Sequence, residues 1–180
     1  MTSHRGMFVP TDQDPRLGGG ATRGERACVE GYLEAYRHTI VLKCEGLTPA
    51  QLAHASVPPS AMSLLGLVRH LARVEHHWAR RVIEGGADLR RLFDGEAADA
   101  GFSLPTEVDQ ASVDEAFALW RAESAHTDEV LAAASYDDLV AVGDEQVEVR
   151  DVVVHLVEEY ARHAGHADLL RECLDGRTGQ

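Results

Sequence analysis

Apolar residues recur in four blocks of helical spacing, separated by stretches rich in proline, glycine and charge. Over residues 22–45, Cys28, Tyr32, Ala35, Tyr36 and Thr39 fall three or four apart, and Gly46 followed by Pro49 supplies a stop. Residues 47–63 carry three prolines and end in Ser63, a suitable N-cap for a second helix. Its stripe of Leu67, Leu71, Val74, Trp78 and Val82 runs as far as Gly85 and Gly86. Residues 87–110 contain Pro105 and only a short helical possibility at 89–93, so they read as a long crossover. Ser112 is placed to cap a third helix, in which Val113, Phe117, Trp120, Ser124, Thr127 and Leu131 share a face as far as residue 134. Beyond Gly143 and Asp144, Val147 and Val149 offer a brief strand, and a fourth helix runs over 150–174 until Gly176 stops it.

Four helices of similar length with one long connection predict an all-α four-helix bundle with a crossover. The bundle is expected over 22–176. Residues 1–21 hold Pro10, Pro15 and the run Gly18, Gly19, Gly20 without any periodicity, and read as a flexible arm; 177–180 read as a tail.

A length of 180 residues with 44% apolar content fits one domain. No apolar run approaches the ~18 residues that cross a bilayer, and the start has no apolar leader, so a cytoplasmic protein without membrane contact is expected. A formal charge of -13 repels phosphate backbones and anionic lipid, which removes nucleic acid from the expected partners. Cys28, Cys44 and Cys173 lack any paired spacing and read as reduced, mostly buried thiols. Neither a glycine-rich phosphate loop nor a GxSxG elbow occurs, and no cysteine stands beside a general base.

The ten histidines change the picture most. On the fourth helix Val152, Leu156, Tyr160, His163, Ala167, Leu170 and Leu174 share a face, so His163 points at the core. Glu159 lies one turn before it and His166 three residues after it on the edge of that face, with His155 further round. A carboxylate beside a core-facing imidazole asks for a cation. His70 sits on the edge of the second helix's stripe, with His77 two turns later. His70, Glu159 and His163 thus make a three-ligand set with open positions for water or substrate, suited to zinc, nickel or iron. An alternative takes His163 and His166 as the ligand pair and Glu159 as an acid or base. Arg73 could approach an anionic substrate or form a surface ion pair. His76 is expected on the solvated side and Trp78 and Trp120 in the core; His4, His38, His54 and His126 form no constellation.

The motifs LVRHLARVEHHW on the second helix and EEYARHAGHADLLRE on the fourth, with the long crossover, resemble the DinB superfamily, specifically its DUF664 branch near the mycothiol-dependent enzymes. The resemblance covers residues 23–175. It implies a divalent metal, usually zinc or nickel, held at the positions that read His70, Glu159 and His163 here. Glu in place of the commoner His resembles the mycothiol-dependent maleylpyruvate isomerases, and His166 stands where many members carry Gln, which leaves open whether it binds metal or supports a ligand. The resemblance further implies mycothiol as thiol cosubstrate, an electrophilic small molecule as acceptor, and a homodimer.

The expected function is therefore a metal-dependent thiol S-transferase, or an isomerase of the same type, in which the ion lowers the thiol pKa and His166 or His77 moves a proton. The competing readings are a non-catalytic metal-binding or stress-associated bundle, and a metal-free bundle whose His and Glu residues form a polar network.

Overall fold

The computed structural model describes residues 7–17, 23–93 and 102–179. His4, the three glycines at 18–20 and the crossover at 94–101 lie outside them. The four bundle helices are α1 (Glu25–Cys44), α3 (Leu64–His76), α4 (Gln110–Ala133) and α5 (Val149–Asp175), with a short α2 (Pro49–Ala53) between the first two. The bundle is the expected one. The short α2 arises because Thr48 and Gln51 close a reciprocal capping box around a helix that opens with Pro49.

Helix α3 is the central element, packing against α4 and α5 and touching α1, while α1 lies on α5. Ser63 caps it as expected, accepting the Gly66 amide at 3.1 Å. Leu64, Leu65, Leu67, Val68, Leu71 and Ala72 are all fully buried. After His76 the helix does not simply continue: His77–Ile83 form a π-helical turn. On α1 the buried residues include Leu33, Arg37, Ile40 and Cys44; of the expected stripe Thr39 is buried and Tyr36 packs on the core, whereas Tyr32 is exposed. The apolar spacing there follows two overlapping stripes, and the bundle buries parts of both, Arg37 and Thr39 among them.

Further differences have local causes. Asp109, not Ser112, caps α4, because its carboxylate reaches both the amide and the hydroxyl of Ser112, at 2.9 and 2.8 Å. Residues 89–93 are not helical. Val147 does enter a strand, but in a hairpin of β1 (Leu139–Val142) and β2 (Glu145–Glu148) that turns at Gly143, and Val149 already opens α5. Gly176 ends α5 in the left-handed conformation that glycine adopts without strain. Only Cys44 is a buried thiol; Cys173 is exposed and Cys28 half-buried.

Residues 7–17, expected as part of a flexible arm, are anchored at two buried side chains, Phe8 and Asp14. Phe8 is buried, with Lys43 and Arg177 over its ring at 4.0 and 3.8 Å. Arg177, in the expected tail, also donates to the Phe8 carbonyl at 3.0 Å. No helix among the described residues is long and apolar enough to cross a membrane.

Candidate metal centre

Helix α5 presents Glu159 and His163 one turn apart on the face turned to α3, and α3 presents His70 opposite them. His70 Nε2 and His163 Nε2 stand 3.4 and 3.3 Å from the same oxygen, Glu159 Oε2. One donor atom from each of the three lies within 4.8 Å of the other two, and this is the one group of three such residues among the described residues. Ligands on a tetrahedral ion with bonds of about 2.0–2.1 Å stand about 3.3–3.4 Å apart, so both measured edges fit a shared ion. Two imidazoles and a carboxylate are donors that zinc or nickel accepts.

The electrostatics of the three residues suit a cation. Partial burial opposes ionisation of Glu159, but the hydrogen bond from His70 and the imidazoles of His70, His163 and His155 outweigh it and hold the carboxyl below its usual range. Burial, then the neighbouring His70, pushes His163 down to about 4, with Glu159 opposing. A neutral imidazole facing a carboxylate is the ligand form that a metal ion requires.

His166 does not join the Nε2 atoms. Its Nδ1 meets His163 Nδ1 at 3.3 Å, on the other side of that ring. The alternative pair of His163 and His166 therefore brings two donors together, but no third donor among the described residues completes it. His155 Nε2 lies 3.6 Å from the second oxygen of Glu159, and its ring edge meets Trp78.

His70 also forms one wall of a cavity of about 240 Å³ bounded by Arg73, Val74, His76, His77, Trp78 and Arg91. His77 is half-buried there, and burial followed by Arg91, Arg81, His76 and Arg73 lowers its pKa, which keeps it neutral near pH 7. Arg73 reaches the crossover, donating to the Leu92 carbonyl at 3.2 Å. Trp78 is half-buried in this wall, while Trp120 is a core residue.

His76 is a correction: it is buried, with Nε2 3.1 Å from the Arg90 carbonyl and Nδ1 3.4 Å from Glu123. The reason is that α3 is flanked by both α4 and α5, so the side opposite its apolar stripe is covered. His38 and His126 pair with Glu34 and Glu84, and His54 is exposed.

Two neighbours escaped the sequence reading. Phe102 stacks on His70 at 4.2 Å and 14°, and Arg91 reaches the cavity. Both come from the crossover, where no periodicity signals a direction. The close approach depends on Gly66: a Cβ there would stand 2.7 Å from the Phe102 carbonyl oxygen.

A family model described as mycothiol-S-transferase matches residues 28–176 of the chain. No curated protein matches it.

Proposed function

The chain belongs to the mycothiol S-transferase family, and from that premise we propose that it joins mycothiol to a small electrophile with a divalent metal ion, zinc foremost, held by His70, Glu159 and His163. The observation that carries the reading is the convergence of these three donors from two helices within 4.8 Å. The bound ion supplies Lewis acidity that favours the thiolate over the thiol near neutral pH.

The chain's own residues do the rest. Glu159 offers Oε2 between the two imidazoles, so its charge offsets half of a divalent ion's. His166, at the far nitrogen of His163, fixes the orientation and tautomer of that ring. His77, neutral and facing the same cavity as His70, is placed to take the thiol proton. Phe102 covers one face of His70 and limits access of water from that side. The cavity beside His70 supports catalysis over a closed structural site, because the three donors leave room for substrate.

Metal content of untagged protein tests this directly. Near one ion per chain is expected by elemental mass spectrometry, lost in both His70→Ala and His163→Ala, together with mycothiol transfer to a monochlorobimane acceptor. Wild type that stays metal-free after reconstitution, or a His163→Ala protein that keeps both metal and turnover, overturns the proposal.

A further inference from the structure

The chain as a whole is strongly acidic, with 30 acidic against 17 basic residues, yet the cavity beside His70 inverts that balance. Among the described residues its lining holds two arginines and three histidines and no carboxylate. Two acids stand behind lining histidines: Glu123, 3.4 Å from His76 and occupied by Arg80 at 2.7 Å, and Glu159, 3.4 Å from His70 in the proposed metal site. Arg73 gives one N–H to the Leu92 carbonyl, out of five that a guanidinium carries. Arg91 enters from an exposed stretch of the crossover. Between the cations, Val74 and Trp78 present apolar surface. The resulting shape is a small apolar pocket with a cationic rim, one wall of which is a proposed metal ligand. The same positive potential acts on His77, whose ordinary basicity is reduced by Arg91 and Arg73 after burial.

Mycothiol carries hydroxyls and amides but no carboxylate, so it does not call for two guanidinium groups. We infer that this cavity receives the electrophile, and that the electrophile is a small carboxylate with an apolar body, its carboxylate held by Arg73 and Arg91 and its reactive carbon toward His70. This rests on the transferase reading above for the word electrophile, but the anion site stands on its own lining. Guanidinium groups favour carboxylates through paired, charge-assisted hydrogen bonds, and the apolar wall excludes water that would weaken them.

The test uses two matched pairs on the metal-loaded protein. Unreactive 4-methylbenzoate and 4-methylbenzamide differ only in the anionic group and are compared by calorimetry. Their 4-chloromethyl counterparts serve as acceptors: the mycothiol sulfur bonds to the benzylic carbon while the carbon–chlorine bond breaks, chloride leaves with the bonding pair, and the thiol proton passes through His77 to solvent. Wild type is expected to bind the benzoate about tenfold or more tightly than the amide, the size of a hydrogen bond to a charged group. Arg91→Ala and Arg73→Gln are expected to remove most of that preference, and Arg91→Glu to reverse it, while binding of the amide changes little. Folding of each variant is checked by its circular dichroism, and Arg91, on an exposed stretch, serves as the variant least coupled to the core.

Equal binding of benzoate and benzamide to wild type overturns the inference. So does a benzoate preference that survives all three substitutions, which would place the carboxylate on the metal instead. Benzoate selectivity without any transfer to the chloromethyl compounds overturns the transferase reading and keeps the anion site; transfer with no carboxylate preference does the opposite.

Discussion

Two carboxylates of the bundle, one fully buried and one half-buried, are treated in opposite ways. Glu75 on α3 is fully buried, and its Oε1 accepts from Arg37 at 2.9 Å, Tyr160 at 2.8 Å and Ser124 at 3.3 Å. Trp120 in turn donates to the Tyr160 hydroxyl at 2.7 Å. One residue away on α5, Glu159 is surrounded by His70, His163 and His155, and no guanidinium is placed against it by any hydrogen bond or ion pair described above. The first cluster supplies its own permanent cation from α1 and ties all four bundle helices together. The second supplies groups that bind a cation but need not carry one. The difference separates a polar device that holds the fold from one that waits for an ion, and it lies in whether an arginine or an imidazole answers the carboxylate.

The strongest way to break this comparison is to remove the built-in cation. Arg37→Met leaves Glu75 buried without its charge partner and is expected to cost about 3–5 kcal/mol of unfolding free energy in urea. Glu159→Gln, at the half-open site, is expected to change the metal-free protein by less than about 1 kcal/mol. Equal losses would mean that both clusters are structural.

Zinc sharpens it next. At a free concentration a hundred times its Kd, zinc is expected to stabilise wild type by about 2.7 kcal/mol, read as a rise in Tm. The same addition should leave His163→Ala unmoved while stabilising Arg37→Met as much as wild type, since that variant keeps the ligands.

A smaller effect is expected at His166. Its removal as His166→Ala should weaken metal affinity about 10–100-fold without abolishing binding, as for partners that orient a ligand imidazole. Complete loss of metal, equal to that of His163→Ala, would make His166 a ligand.

The smallest effect is in acid. In the metal-free protein His163 titrates at about 4 when folded against 6.5 when unfolded, because burial and His70 disfavour its charged form. The unfolded chain then binds more protons, so this group's contribution is intact above pH 6.5 and is lost as pH falls from there toward 4. The depressed Glu159 carboxyl works in the same direction at lower pH. His163→Gln should flatten the acid limb of the stability curve over pH 6.5–4, and an unchanged limb would show that the ring is already free to protonate when folded.

Much of this was legible in the sequence because helical period is a geometric rule. The i,i+4 spacing puts Glu159 and His163 on one face of α5, and the stripe through Leu67 and Leu71 puts His70 at its edge, so the grouping of the three follows from phase alone. What was not legible depends on neighbours. Arg37, Glu75 and His76 look like surface residues until α3 is seen to be enclosed by α4 and α5. Phe102 and Arg91 lie in a segment whose path is set by what it packs against. Phe8 sits among prolines and charges, and nothing in its surroundings announces that Lys43 and Arg177 will close over it.

The π-helical turn after His76 carries a consequence of descent. Such a turn holds one more residue than the α-helical path it replaces, and here the Glu84 amide reaches back five residues to the Ala79 carbonyl at 3.0 Å. A relative that lost one residue between 77 and 83 would restore regular α-helix and rotate one flank against the other by about 100°. Either Trp78 and its neighbours would turn from the cavity, or the following residues would turn from the β-hairpin that packs on them. Deletions in this stretch should therefore be inherited only together with changes in the hairpin or in the cavity's lining, and would mark lineages that handle a different acceptor.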